Sequence, residues 1–325
     1  MRPRRSVVAV LLALALLTGV ACGGGDDDEA QPSATTQAES PATTGAGGAA
    51  GRVTVEDAGR EPRQRLELRL APGSTTRAAM VSEVELDMSM EGNRLSAGAL
   101  PTTRAVMEQR IDGVDPDGTA HFTVTIGDWS VLPTPGVDQA AVTETERALA
   151  ELEGLRGTGK VDRSGGSQSL SMDTSSVRNP MMKATLDSFA SQVGNLTVPF
   201  PSEPVGPGAR WRASSTATIN GITMNTTSTY TLRSRAGDRY ELDVVQDAEA
   251  PPGPVAIPNL PAGTETSIES FAVHSTGKIA GELTKPLPVN STVEGGGEGR
   301  LTVVAQGDRG TLVQRIRIDV VLSPA

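Results

Sequence analysis

A chain of 325 residues with a formal charge of −10 and a single cysteine is long enough for one large domain or two smaller ones. Its 39 Asp and Glu against 29 Lys and Arg give a surface that repels nucleic acid and anionic lipid headgroups, which need clustered cations. One cysteine excludes an internal disulfide, so the fold rests on its apolar core, and four Phe, two Trp and two Tyr leave few platforms for stacking sugars or bases.

Residues 1–21 read as an export signal. Arg2, Arg4 and Arg5 precede the apolar run from Val7 to Leu17, and the small residues Gly19, Val20 and Ala21 follow, the order of a cleaved secretory segment rather than a spanning helix. Cys22 then stands first in the exported chain. The block resembles the lipobox of bacterial lipoproteins, with Gly19 at the place where those proteins carry Leu or a similar residue. The resemblance implies diacylglyceryl on Cys22, palmitate-type acylation, and anchoring at the outer face of the cytoplasmic membrane. An odd cysteine in an exported chain calls for pairing or modification; without acylation the same cut leaves a soluble secreted protein.

Residues 22–51 form an acidic tether. Gly23 to Gly25, Asp26 to Glu29 and a Ser, Thr, Ala and Pro-rich stretch cannot bury enough apolar surface to order themselves. As a flexible coil they reach about 30 Å. The four consecutive acids read as a solvated charge run, because a calcium site needs a fixed loop to aim its carboxylates.

From residue 52 the dominant period is two. Leu66, Leu68 and Leu70 alternate with Arg65, Glu67 and Arg69; Val84, Leu86, Met88 and Met90 with Glu83, Glu85, Asp87 and Ser89; Ala120, Phe122, Val124 and Ile126 with His121, Thr123 and Thr125. Such alternation predicts strands with one dry and one wet face. Asp115-Pro116-Asp117-Gly118, Ala236-Gly237-Asp238 and Gly307-Asp308-Arg309-Gly310 read as hairpin turns. Two segments switch to helical spacing: 138–153, with Val142, Leu149 and Leu152, and 180–193, with Pro180 at the first position and Met182, Leu186, Phe189 and Val193 on one face. The expected class is α+β, mainly antiparallel β: one or two curved antiparallel sheets with two amphipathic helices packed on the first half.

Two β-rich units are expected, 52–198 and 199–325, the second a degenerate repeat of the first. Ala71-Pro72-Gly73 is matched by Gly206-Pro207-Gly208, and Thr158-Gly159-Lys160-Val161 by Thr276-Gly277-Lys278-Ile279.

No motif for catalysis emerges. Thr158-Gly159-Lys160 resembles the end of a phosphate loop, which needs an upstream glycine at fixed spacing and a following helix; Val161 continues into a strand-like segment, so the motif reads as a structural turn. Asp112, Asp115, Asp117 and Gly118 have neither the spacing nor the terminal glutamate of a calcium loop. His121 and His274 are the two histidines and sit in no metal or nucleophile motif. No cofactor, no metal and no nucleic acid is expected. The methionines either fill a core poor in aromatics or line an adaptable apolar cavity; on the second reading Leu86, Met88, Met90, Met182, Leu186 and Phe189 line a ligand site.

The succession of short strands, Asp-Gly hairpin, Gly-Lys-Val-Asp element and amphipathic helix leads to Pro199-Phe200-Pro201 and Val205-Gly206-Pro207-Gly208-Ala209-Arg210-Trp211. It resembles a family of uncharacterised bacterial exported lipoproteins, and more distantly is similar to lipid-carrier lipoproteins of the LolA and LppX kind. The second resemblance implies acyl chains held between a half-open barrel and its helices. The function expected is therefore a non-enzymatic, membrane-anchored envelope lipoprotein that binds a hydrophobic or amphiphilic ligand. Its alternative is an extracytoplasmic scaffold module that presents a sheet edge or loop to an envelope protein partner.

Overall fold

The computed structural model describes residues 52–175, 198–219, 222–257, 260, 263–305 and 307–325. The chain lays down β1 (Arg52–Asp57), β2 (Thr75–Met90), β3 (Asn93–Ala99), β4 (Thr102–Val114), β5 (Ala120–Leu132), α1 (Gln139–Ala150), β6 (Leu155–Val161) and β7 (Ser167–Met172). The later strands are β8 (Arg210–Ile219), β9 (Ile222–Ala236), β10 (Arg239–Ala250), β11 (Gly253–Val255), β12 (Glu265–Glu282), β13 (Asn290–Ala305) and β14 (Asp308–Pro324).

All of these strands join one antiparallel sheet. Its order is β1-β8-β9-β10-β12-β13-β14-β2-β4-β5-β6-β7, with β3 beside β2 and β11 beside β12. Two pairings, β1 with β8 and β14 with β2, join strands on either side of residue 198.

This corrects the expected α+β class. Among the described residues strand makes up 64% and helix 5%, with one helix rather than two packed on a sheet. Segment 138–153 does form α1, which Asp138 caps by accepting from the Ala141 N–H at 2.7 Å. The expected helix over 180–193 lies outside the described residues. The weight shifted to strand because stretches such as Asn290–Ala305, rich in Gly and Thr, pair between long neighbours on both sides. Strand formation there is set by cross-strand context more than by residue preference.

The sheet coils until its wings meet. Ile111, Phe122 and Val161 from β4 to β6 share one apolar cluster with Trp211, Tyr230, Leu232, Tyr240 and Leu242 from β8 to β10, although five strands lie between β10 and β5 in the sheet order. Glycines allow the bend. A β-carbon at Gly297 would stand 2.3 Å from the Ala272 carbonyl oxygen, so β12 and β13 approach more closely there than side-chain-bearing strands can.

Residues 58–74 cross between the wings at the end where they touch. The strap hydrogen-bonds to Val205 through Gln64 in both directions at 3.0 Å, to the Arg163 carbonyl from Leu68 at 2.7 Å, and to the Leu283 carbonyl from Arg69 at 2.7 Å. Leu66 and Leu68 point into the shared cluster and are buried. Beneath the strap, Trp211 stacks on Tyr230 with centroids 5.6 Å apart, Phe200 meets Tyr240 edge-on at 5.2 Å, and the Trp211 indole donates to the Pro199 carbonyl at 2.9 Å. The Pro199 to Trp211 block is thus a plug that closes one end of the coil.

A second cluster holds Val84, Leu86, Met88, Ile222, Met224, Ile268, Phe271 and Ile316. A third holds Met107, Val124, Ile126, Leu155 and Met172, with Trp129, Ala148 and Leu152 against it where α1 ends.

Candidate functional site

The alternation of each strand sorts its side chains by charge. Along β2, β10, β12 and β13, and along β14 from Leu312, every charged residue stands on the face opposite the apolar clusters or in a bulge. Outside, charges pair: Glu298 accepts from Arg300 at 3.0 Å and from Arg315 at 2.8 Å, Arg94 reaches Asp87 at 2.9 Å, and Glu56 holds Arg210 and Arg212. A strand that faced lipid would carry apolar residues outward; this sheet has the reverse polarity. Burial within the plug pushes the Tyr230 and Tyr240 phenols up, so both stay neutral.

Between the plugged end and the second cluster, the inner face is filled with small residues. One register row crosses six strands: Ser228 of β9, Gln246 of β10, Ser275 of β12, Gly295 of β13, Ile318 of β14 and Val84 of β2. Its neighbours are Thr226, Ala248, Val273, Gly297, Ile316 and Leu86 on one side, and Tyr230, Val244, Gly277, Val293, Val320 and Ser82 on the other. Gln246, Ser275, Gly295 and Ile318 are only half-buried, so solvent reaches the middle of the row while its ends are dry. The Gln246 amide donates to Ser228 Oγ at 3.1 Å. A β-carbon at Gly295 would lie 2.2 Å from Ser275 Oγ, which explains why the floor is glycine. The row is polar at one end, bare in the middle and aliphatic at the other. From Gln246 to Val84 it spans four interstrand steps, about 19 Å.

Leu86 and Met88 lie buried on the inner face of β2, with Met90 half-buried beside them, at the aliphatic edge of this trough. Met182, Leu186, Phe189 and Cys22 lie outside the described residues. Ser228, Gln246 and Ser275 were not singled out in the sequence. The run Gly295-Gly296-Gly297 and Gly277 in the Thr-Gly-Lys repeat carry the signal that could have found the floor.

The motifs that resemble chemistry resolve into framework. Thr158 to Val161 lies in β6 with alternating burial. Asp112 accepts from Thr123 Oγ1 at 2.7 Å, and Asp117 accepts from the Thr119 N–H at 2.8 Å, which holds its carboxyl below the usual range. His121 pairs with Asp115 at 2.8 Å and His274 with Asp247 at 2.7 Å, each pair at the surface of its own wing. Among the described residues no three His, Cys, Asp or Glu side chains gather as metal ligands. An outer cleft of about 590 Å3 is lined by Arg233, Glu241, Asp243, Lys278, Asn290 and Thr292, and Arg233 and Asp243 in its lining form an ion pair.

The repeat expectation meets one matched detail. Gly73 donates to the Ile111 carbonyl while Ile111 donates to Ser74, and Gly208 donates to the Leu232 carbonyl while Leu232 donates to Ala209. The sheet pairings shift just after both partners, at Ile111/Gly113 and at Leu232.

No family model matches the chain and no curated protein matches it. Among solved structures it is similar to the crystal structure of Pseudomonas aeruginosa OccK2 (OpdF), at 8% identity over 77% of this chain and 98% of that one, with a TM-score of 0.17. A score that low carries neither fold nor function across.

Proposed function

We propose that this protein is a membrane-anchored envelope lipoprotein, held by an acylated Cys22, whose coiled sheet binds a hydrophobic or amphiphilic ligand without turning it over. The observation that carries the reading is the half-buried row Gln246–Ser275–Gly295–Ile318 on an inner face otherwise sealed at the plugged end. An interior built only for stability fills such positions with large side chains, and concave, mostly apolar surfaces with a few placed polar groups are the usual form of a small-molecule site. The export segment and tether support the address, and the charged outer face suits a body that stands in water beside a bilayer.

The test is the intact mass of protein extracted from its own host in mild detergent, taken under native and then denaturing conditions. A denatured mass of residues 22–325 plus acyl groups supports the anchor, and the unmodified mass overturns it. An extra mass present only in the native spectrum supports the ligand. Its absence, with a protein partner recovered by crosslinking in intact cells, moves the reading to the scaffold module.

A further inference from the structure

Among the described residues the inner face is uncharged over the trough, and that restricts what it can hold. Its polar groups are neutral: Ser82, Thr226, Ser228, Gln246 and Ser275, with Gln109 of β4 buried on the facing wing. The nearest ionisable groups along these strands, Glu83, Glu85, Asp243, Asp247, His274, Lys278, Glu294, Arg317 and Asp319, belong to the other face. A carboxylate or phosphate placed on the row would lose its hydration and meet no cation. A hydroxyl would meet acceptors and donors at one end of the row. Gln246 gives its amide N–H to Ser228 and keeps its oxygen for another donor. Gln109 Oε1, on a residue 3% exposed, has no hydrogen-bond partner, and a buried carbonyl oxygen without a donor is uncommon enough to call for one. The other end of the row is aliphatic, with Ile316, Ile318, Val84 and Leu86 adjacent.

We infer that the trough selects an uncharged amphiphile, whose hydroxyl-bearing end hydrogen-bonds to Ser228, Gln246 and Ser275 while its aliphatic part lies along Ile316, Ile318, Val84 and Leu86. This rests on the ligand-binding reading above and narrows it to a class: a neutral acylglycerol or similar hydroxylated lipid, in preference to a fatty acid anion or a phospholipid whose headgroup would have to enter.

The experiment compares three probes of equal chain length on the delipidated mature protein at pH 8: monoolein, which is neutral and bears hydroxyls; methyl oleate, neutral without a donor; and oleate, which is charged. Affinities are read by equilibrium dialysis. Monoolein is expected to bind about tenfold more tightly than methyl oleate, the scale of one or two net hydrogen bonds, and oleate more weakly than both. Gln246→Leu, or Ser275→Ala should the first variant unfold, is expected to bring monoolein to within about twofold of methyl oleate without weakening the latter. Gln246→Arg places a cation on the row and is expected to raise oleate affinity specifically. Oleate binding as well as monoolein overturns the neutral-ligand inference and leaves the ligand-binding reading standing, as does a monoolein preference that survives Gln246→Leu. Failure of all three probes overturns both.

Discussion

The Phe271 ring packs against the backbone of Gly299, so close that a β-carbon at position 299 would stand 2.5 Å from ring atom Cδ2. The two residues face each other across the β12–β13 pairing, and the ring uses the missing side chain as its floor in the cluster with Leu86 and Ile316. Gly299→Ala is therefore expected to displace the ring and destabilise the protein by about 1–3 kcal/mol, the usual range for overpacking. Gly113→Ala is the control. Nothing lies within 4 Å of the β-carbon it would add, and its effect is expected to stay within about 0.5 kcal/mol. Urea denaturation of the two variants side by side checks the difference.

The strap makes a second demand. Leu66 is fully buried between the wings, while Glu67 beside it is half-exposed. Truncating Leu66 to Ala leaves a cavity under a segment pinned at both ends by backbone hydrogen bonds, so the site cannot collapse. A loss of about 2–5 kcal/mol is expected, against little change for Glu67→Ala. Thermal unfolding followed by tryptophan emission reports it directly, since Trp211 belongs to the same cluster.

Strand content was legible because alternation was strict where one face is dry. Leu86 and Met88 against Glu85 and Asp87, or Phe122 and Val124 against Thr123, hold the same burial pattern in the sheet. The three hairpin turns were legible from Gly beside Asp. Leu66 and Leu68 show the limit of that signal: their alternation is genuine, yet they belong to a strap outside the sheet, because period two marks extended chain whether or not neighbours pair with it. The weight given to helix came from 138–153 and 180–193; the first forms twelve helical residues, a small share of the described chain, and the second lies outside the described residues. The candidate site was half legible. Its aliphatic edge announces itself as a repeated apolar pattern, but the polar end is built from Ser228, Gln246 and Ser275, ordinary residues made meaningful only by a register that joins strands distant in sequence.

Glu298 gives the outer face a pH dependence with a definite sign. Hydrogen bonds from Arg300 and then Arg315 hold its carboxyl below the ordinary value of 4.5. A carboxyl whose folded pKa is depressed favours the folded state fully above its unfolded value, and that contribution disappears as pH falls through the folded value. Glu298→Gln is therefore expected to be less stable than the parent at pH 7, by about 0.5 kcal/mol because the pair is solvent-exposed. The gap should close in acid, below pH 4.5 and on through the depressed folded value. Urea midpoints for both proteins from neutral to acid pH test this; a gap that widens in acid contradicts it.

Removal of the anchor should separate address from fold. The sheet turns Arg94, Arg300, Arg315 and their acidic partners outward, and no helix among the described residues is long and apolar enough to cross a bilayer. On the proposed reading the attachment comes from acylation of Cys22, where each buried methylene contributes about 0.8 kcal/mol. Cys22→Ala is expected to abolish incorporation of labelled palmitate and move the protein from the membrane pellet to the supernatant. Because residue 22 lies 30 positions ahead of Arg52, the first residue of β1, the urea midpoint of the released protein should match that of the parent. A variant that stays with the membrane and resists a high-salt wash would mean that some other part of the chain holds it there.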